Sequence, residues 1–167
     1  GAIVGGKLSD LRGRRNNILL IALVFVVGTV GCVLSPSWPV LAFFRLVLGL
    51  AVGAASATVP VYLSEIAPYE RRGSMVTRNE VMIVSGQFAA FIINAIIFQV
   101  WGEHEGVWRY MLAVAVLPAI ALFVGMLRMP ESPRWLVLKE RDDEALDVLK
   151  QVRSTERAEA EMAEVRA

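Results

Sequence analysis

The sequence is poor in the groups with which soluble enzymes do chemistry. Among 167 residues there is one cysteine, Cys32, and one histidine, His104. A lone cysteine excludes a disulfide framework within the chain, and because Cys32 sits in an apolar run it gives no indication of redox compartment. There is no metal-ligand spacing, no glycine loop that could cradle a phosphate, no nucleophile triad and no basic patch suited to nucleic acid. The start, GAIVGG, lacks the basic residues, short apolar core and cleavage site of a signal peptide. These absences argue against an enzyme, a cofactor protein and a nucleic-acid binder.

What is present in excess is apolar surface. Hydrophobic residues make up 56% of the chain and the mean hydropathy is +0.54, a composition that places it among integral membrane proteins. Four apolar stretches, 17–34, 40–66, 75–101 and 110–127, approach or exceed the ~20 helical residues needed to cross a hydrocarbon layer about 30 Å thick. Only helices fit, because lipid offers no hydrogen-bond partner to a bare backbone group. GAIVGG itself reads as the last turns of an apolar helix, so the chain is expected to be an internal piece of a longer protein.

The net charge of +1 conceals a pattern in the connectors. The stretch from Gly5 to Arg15, GGKLSDLRGRR, holds Lys7, Arg12, Arg14 and Arg15; SPSW, from Ser35 to Trp38, holds no charge; the third connector holds Arg71 and Arg72; GEHEGVW is acidic; Arg128, Arg134, Lys139 and Arg141 follow the last span. Basic connectors alternate with the others, which predicts that the first, third and last face the cytoplasm and that both ends of the chain lie there. Trp38, Trp101 and Trp108 fall at the expected membrane boundaries, as in an aromatic belt, and His104 is expected to be solvated. The chain thus divides into a bundle over 1–127 and a cytoplasmic helical segment over 128–167. In that segment Ser132 and Pro133 signal a helix start, and Ala145, Leu146, Val148, Leu149 and Val152 recur at helical spacing. A second short helix is expected from Thr155, with Ala158, Met162 and Val165 inward.

Polar residues inside the spans are the candidates for function. Arg45 costs about 2.5–3.5 kcal/mol at the centre of a membrane helix. It either snorkels to the surface about five residues away or faces the protein interior with a carboxylate partner, for which no acid in this chain is suitably placed. Its helix also carries Gly49, Gly53 and Ala57 at four-residue intervals, a stripe that permits close helix approach, and Pro60, expected to bend it. Glu80, Gln87 and Asn94 are each seven residues apart, which aligns them on one helical face over about 21 Å. Such a stripe can bind neighbouring helices or satisfy the hydroxyls of a polyhydroxylated ligand.

Four segments in order, GGKLSDLRGRR, RLVLGLAVGAASATVPVYLSEIAPYERRG, NEVMIVSGQ, and WRYM with PESPRWL, resemble the sugar porter family of the major facilitator superfamily. The resemblance extends to about Arg153. It implies an all-α membrane bundle running from the end of the second span through the sixth, part of a carrier with about twelve spans in two halves around a central site. It implies a secondary active transporter for a sugar or polyol in the plasma or inner membrane, working by alternating access and proton symport. The alternatives are a uniporter, a carrier of another small solute, or a non-transporting sensor. It assigns Asp10, Arg14, Glu65, Arg72, Glu131 and Arg134 to charged networks at a cytoplasmic gate, and matches Arg45 to the arginine that faces a first-span aspartate in proton-coupled members. Gln87 matches a sugar-facing position. Glu80 departs from the glutamine of many hexose and pentose carriers, and NEVMIVSGQ is closer to the inositol and polyol branch. Ala115 stands where some symporters have an acid.

Overall fold

A computed structural model describes residues 1–152 together with Ser154, Arg157, Ala158 and Ala160. Its elements are α1 (Ala2–Arg12), α2 (Arg14–Leu34), α3 (Trp38–Ile66), a 3-10 turn (Tyr69–Arg71), α4 (Arg72–Trp101), α5 (Val107–Ala113), α6 (Val116–Leu127), α7 (Pro133–Leu138) and α8 (Asp142–Val152). Among the described residues there is no strand. Four segments are long and apolar enough to cross a membrane: α2, α3, α4 and Val107–Leu127.

The fourth of these is not one continuous helix, as its hydropathy alone suggests, but α5 and α6 joined through Val114 and Ala115. Pro118 supplies the reason. It has no N–H to give the carbonyl of Val114 and its ring crowds that carbonyl, so the chain tightens there into bonds from Ala115 N to Leu112 O and from Leu117 N to Val114 O. Pro60, by contrast, sits inside an unbroken α3.

α2 lies at the centre of the bundle, packed against α1, α3, α5 and α6. Close approach depends on small residues, but not on the full stripe that the sequence suggests. Gly53 and Ala54 of α3 meet α1: a Cβ on Gly5 would lie 2.5 Å from the Ala54 Cα, and one on Gly53 would lie 3.0 Å from the Gly1 Cα. Gly49 faces open space, so only part of the stripe is used within this chain. Between α2 and α3, the absence of a side chain at Gly31 makes room for the Phe44 ring.

The segment after α6 forms its own small core. The Ser132 hydroxyl accepts the Trp135 N–H and Pro133 occupies the first turn of α7. Trp135, Leu136, Ala145, Leu149 and Ala158 are buried together, with Val137, Leu146 and Val148 against them. The helix start at Ser132 and the apolar face of α8 match the expectation from spacing. α7 and α8 are separated by a turn in which Glu140 has φ 59°. The side chain of Val152, and Met162 and Val165 of the second expected helix, lie outside the described residues.

Candidate functional site

The charged residues of the sequence motif collect at one end of the bundle, where α1 stops and α2 begins. The two helices meet at Gly13, whose φ of 96° and ψ of 153° suit glycine and strain any other residue. That one-residue corner swings Arg14 beneath the end of α3. Its Nε donates to Glu65 Oε2 at 3.1 Å and its Nη2 to Glu65 Oε1 at 3.4 Å, a two-pronged pairing of guanidinium and carboxylate. Both side chains are nearly dry, 9% and 7% exposed. Arg14 further donates to the Ser9 carbonyl at 3.3 Å and pairs with the exposed Asp10 at 3.1 Å. The Ser132 hydroxyl donates to Glu65 Oε2, so α7 is tied into the same pair.

Glu131 takes a different part from its neighbour Glu65. Its Oε1 accepts the backbone N–H of Arg15 at 2.8 Å and of Ser132 at 2.9 Å. The first N–H groups of a helix have no partner of their own and carry the positive end of the helix dipole. Gly13, the cap residue of α2, has no side chain to serve them, and Glu131 supplies the cap from 116 residues away. A Cβ on Gly13 would collide with that carboxylate. Arg15 performs the complementary service for α6: its Nε reaches the Met126 carbonyl at 3.2 Å and its Nη2 the Leu127 carbonyl at 2.9 Å, a cation at a helix C-terminus.

Four further bonds close this end. Tyr62 Oη donates to the Pro130 carbonyl at 2.7 Å, Trp135 Nε1 donates to the Asp10 carbonyl at 2.9 Å, and Asn17 Nδ2 donates to the Gly5 carbonyl at 3.0 Å and to Thr58 Oγ1 at 2.9 Å. Sequence reasoning missed Arg15, Tyr62, Trp135 and Ser132 as members of this cluster. Ser132 was legible as a cap, but nothing in the sequence reveals that the same hydroxyl also reaches Glu65. Arg72 opens α4 and is exposed, and Arg134 is exposed on α7. Among the described residues Arg134 makes no contribution to the cluster.

The intramembrane candidates are placed quite differently. Glu80 and Gln87 are exposed and Asn94 is half-buried, and every residue from 80 to 93 is exposed, on all sides of α4. α4 meets α3, α5 and the 3-10 turn. Arg45 is exposed on α3 and has no carboxylate within ion-pair distance among the described residues. Nor do the described residues group three or more His, Cys, Asp or Glu side chains about a point that could hold a metal ion.

A family model described as "Sugar (and other) transporter" matches residues 1–167. The chain belongs to the sugar porter family. It is 55% identical to the major myo-inositol transporter IolT of Bacillus subtilis (strain 168) over 99% of this chain and 35% of that protein. It is 46% identical to the glucose transporter GlcP of Staphylococcus epidermidis over 90% and 33%. A solved structure of the xylose transporter XylE from E. coli, in a partially occluded inward-open conformation, superposes with a TM-score of 0.92 at 28% identity, over 99% of this chain and 44% of that one. The chain therefore spans about a third of the length of the curated relatives it matches. The fold is that of a major facilitator bundle, and the chain is a multi-pass membrane protein of a family of transporters.

Proposed function

We propose that this chain is most of the N-terminal half of a secondary active transporter that moves a sugar or polyol by alternating access, with protons as the coupling ion. The observation that carries the proposal is the 55% identity to a myo-inositol transporter across 99% of the chain. Two placements support it. The charged cluster joins α1, α2, α3 and α7 at one end of the bundle, where a gate belongs, and the middle of α4 is bare, so its polar stripe is open to contacts from outside this chain. The basic connectors orient the cluster toward the cytoplasm. In this reading Asp10, Arg14, Glu65 and Glu131 stabilise the closed cytoplasmic face, Arg72 and Arg134 extend it, and Gln87, Glu80 and Asn94 hydrogen-bond substrate hydroxyls. Likeness to the proton:xylose symporter XylE supports proton coupling, with Arg45 paired to an acid on a span outside this chain.

The test is counterflow in proteoliposomes with the full carrier, using myo-inositol, glucose and xylose. Saturable exchange of myo-inositol ahead of both aldoses is expected. Folded, inserted carrier that exchanges none of the three would overturn the proposal. For the coupling step, Arg45→Leu should abolish substrate-driven proton uptake while leaving substrate exchange. Undiminished proton uptake would return Arg45 to a snorkelling role.

A further inference from the structure

The end of the bundle opposite the charged cluster holds a cavity of about 710 Å³ that the transport reading does not use. It lies between the last turn of α2 and the start of α5, lined by Val33, Leu34, Glu105, Trp108, Arg109 and Tyr110 among others. Its two walls differ in chemistry. Val33 and Leu34, at the end of α2, form an apolar wall, with Leu34 70% exposed. Glu105, Arg109 and the two aromatic rings form a polar rim at the membrane boundary.

Arg109 is held in place by the protein. Its Nη2 donates to the Ser35 carbonyl at 3.0 Å, and its guanidinium lies 5.1 Å from the Trp108 ring centroid, a cation–π distance. An arginine carries five N–H donors, so several remain for a ligand. Glu105 lines the same cavity, yet among the described residues it forms no ion pair with Arg109. One cavity therefore presents a fixed cation and a separate carboxylate above an apolar wall, flanked by the Trp and Tyr rings that favour the headgroup level of a bilayer.

We propose that this cavity binds a phospholipid whose headgroup carries both a phosphate and a primary amine, as in phosphatidylethanolamine. Arg109 donates to the phosphate, Glu105 accepts from the ammonium, and an acyl chain lies along Val33 and Leu34. The charges select the headgroup. A choline amine has no N–H to give Glu105, and an anionic headgroup without an amine brings its negative charge against Glu105. The inference needs only that the chain spans a membrane, and it stands whether or not the carrier moves polyols.

Native mass spectrometry of the full carrier in detergent, titrated with phosphatidylethanolamine, phosphatidylcholine and phosphatidylglycerol of matched acyl chains, tests it. Wild type should retain phosphatidylethanolamine about three- to fivefold better than phosphatidylcholine, the size expected of one exposed charge pair. Glu105→Gln should remove that preference while leaving phosphatidylcholine retention unchanged, and Arg109→Gln should weaken retention of all three lipids. Arg109→Lys keeps the charge and should restore part of the retention, which guards against a variant that has merely lost its link to Ser35. Equal retention of phosphatidylethanolamine and phosphatidylcholine by wild type, or a preference untouched by Glu105→Gln, would overturn the proposal. So would saturable quenching of Trp108 fluorescence by myo-inositol in a lipid-free sample that Arg109→Gln abolishes, because the cavity would then be a vestibule for the solute.

Discussion

The charged end of the bundle and the middle of α4 are built from similar polar groups but treat them in opposite ways. At the charged end, Arg14 and Glu65 are almost fully dry and bond to each other, Arg14 also to the Ser9 carbonyl and Glu65 also to the Ser132 hydroxyl. Along α4 from 80 to 93, a carboxylate and an amide sit on a stretch of helix whose residues are all exposed. A buried charge that loses its partner costs several kcal/mol, whereas a group with no partner has nothing to lose. The central charge pair of the first region is thus already made among the described residues. The second acquires its energetics only from whatever comes to cover it.

Removing one member of the dry pair breaks this contrast most directly. Arg14→Ala should destabilise the chain in detergent by about 3–5 kcal/mol, because it strands Glu65, while Gln87→Ala in the same chain should change stability by less than about 0.5 kcal/mol. Replacing Arg14 and Glu65 together by methionine should recover most of the loss. Denaturant or thermal unfolding followed by circular dichroism measures all three. Equal losses for Arg14→Ala and Gln87→Ala would end the distinction between the two regions.

In the full carrier the ranking should change. Gln87→Ala should weaken binding of the substrate by about 1–3 kcal/mol, a factor of roughly 5–150, and flatten its preference over the matching deoxy analogue. Isothermal titration with substrate and analogue reads both. Unchanged affinity in folded protein would make the α4 stripe a helix contact.

Gly13 sharpens the comparison on the charged side. Gly13→Ala should cost about 1–3 kcal/mol, since alanine is strained at φ 96° and its methyl displaces the Glu131 carboxylate from the α2 amides. The same change at Gly86 of α4, which has open space and helical geometry, should stabilise by a few tenths to about 1 kcal/mol. A similar sign at both glycines in unfolding melts would contradict the geometry. Tyr62→Phe, which leaves the Pro130 carbonyl without its hydroxyl donor, should cost about 1 kcal/mol. A melting temperature equal to wild type would show that water replaces the hydroxyl.

Much of the architecture was legible because hydropathy and helix length are local. Four apolar runs become four spans, since a backbone surrounded by lipid has only the helix in which to satisfy itself. The break at Val114 and Ala115 was not foreseen, although Pro118 was in view, because proline inside a membrane helix has two outcomes. Pro60 leaves α3 unbroken, whereas Pro118 lies in the first turn of α6, just after the break. Glu131 shows the limit more sharply. Its residue type and motif indicated a charged network, but which group it serves depends on a backbone N–H 116 residues away.

By itself the sequence determined the membrane class, the spans, the alternation of basic connectors and the motifs that place the chain in its family. Each of these depends on composition or on spacing along a single helix. Only the tertiary structure decided that Arg14 and Glu65 are dry, that Glu131 caps α2, that Arg15 caps α6, that Gly53 rather than Gly49 meets α1, and that Arg109 and Glu105 line one cavity. These depend on which helix ends come together in space, and burial and hydrogen bonding between distant segments have no periodicity to read.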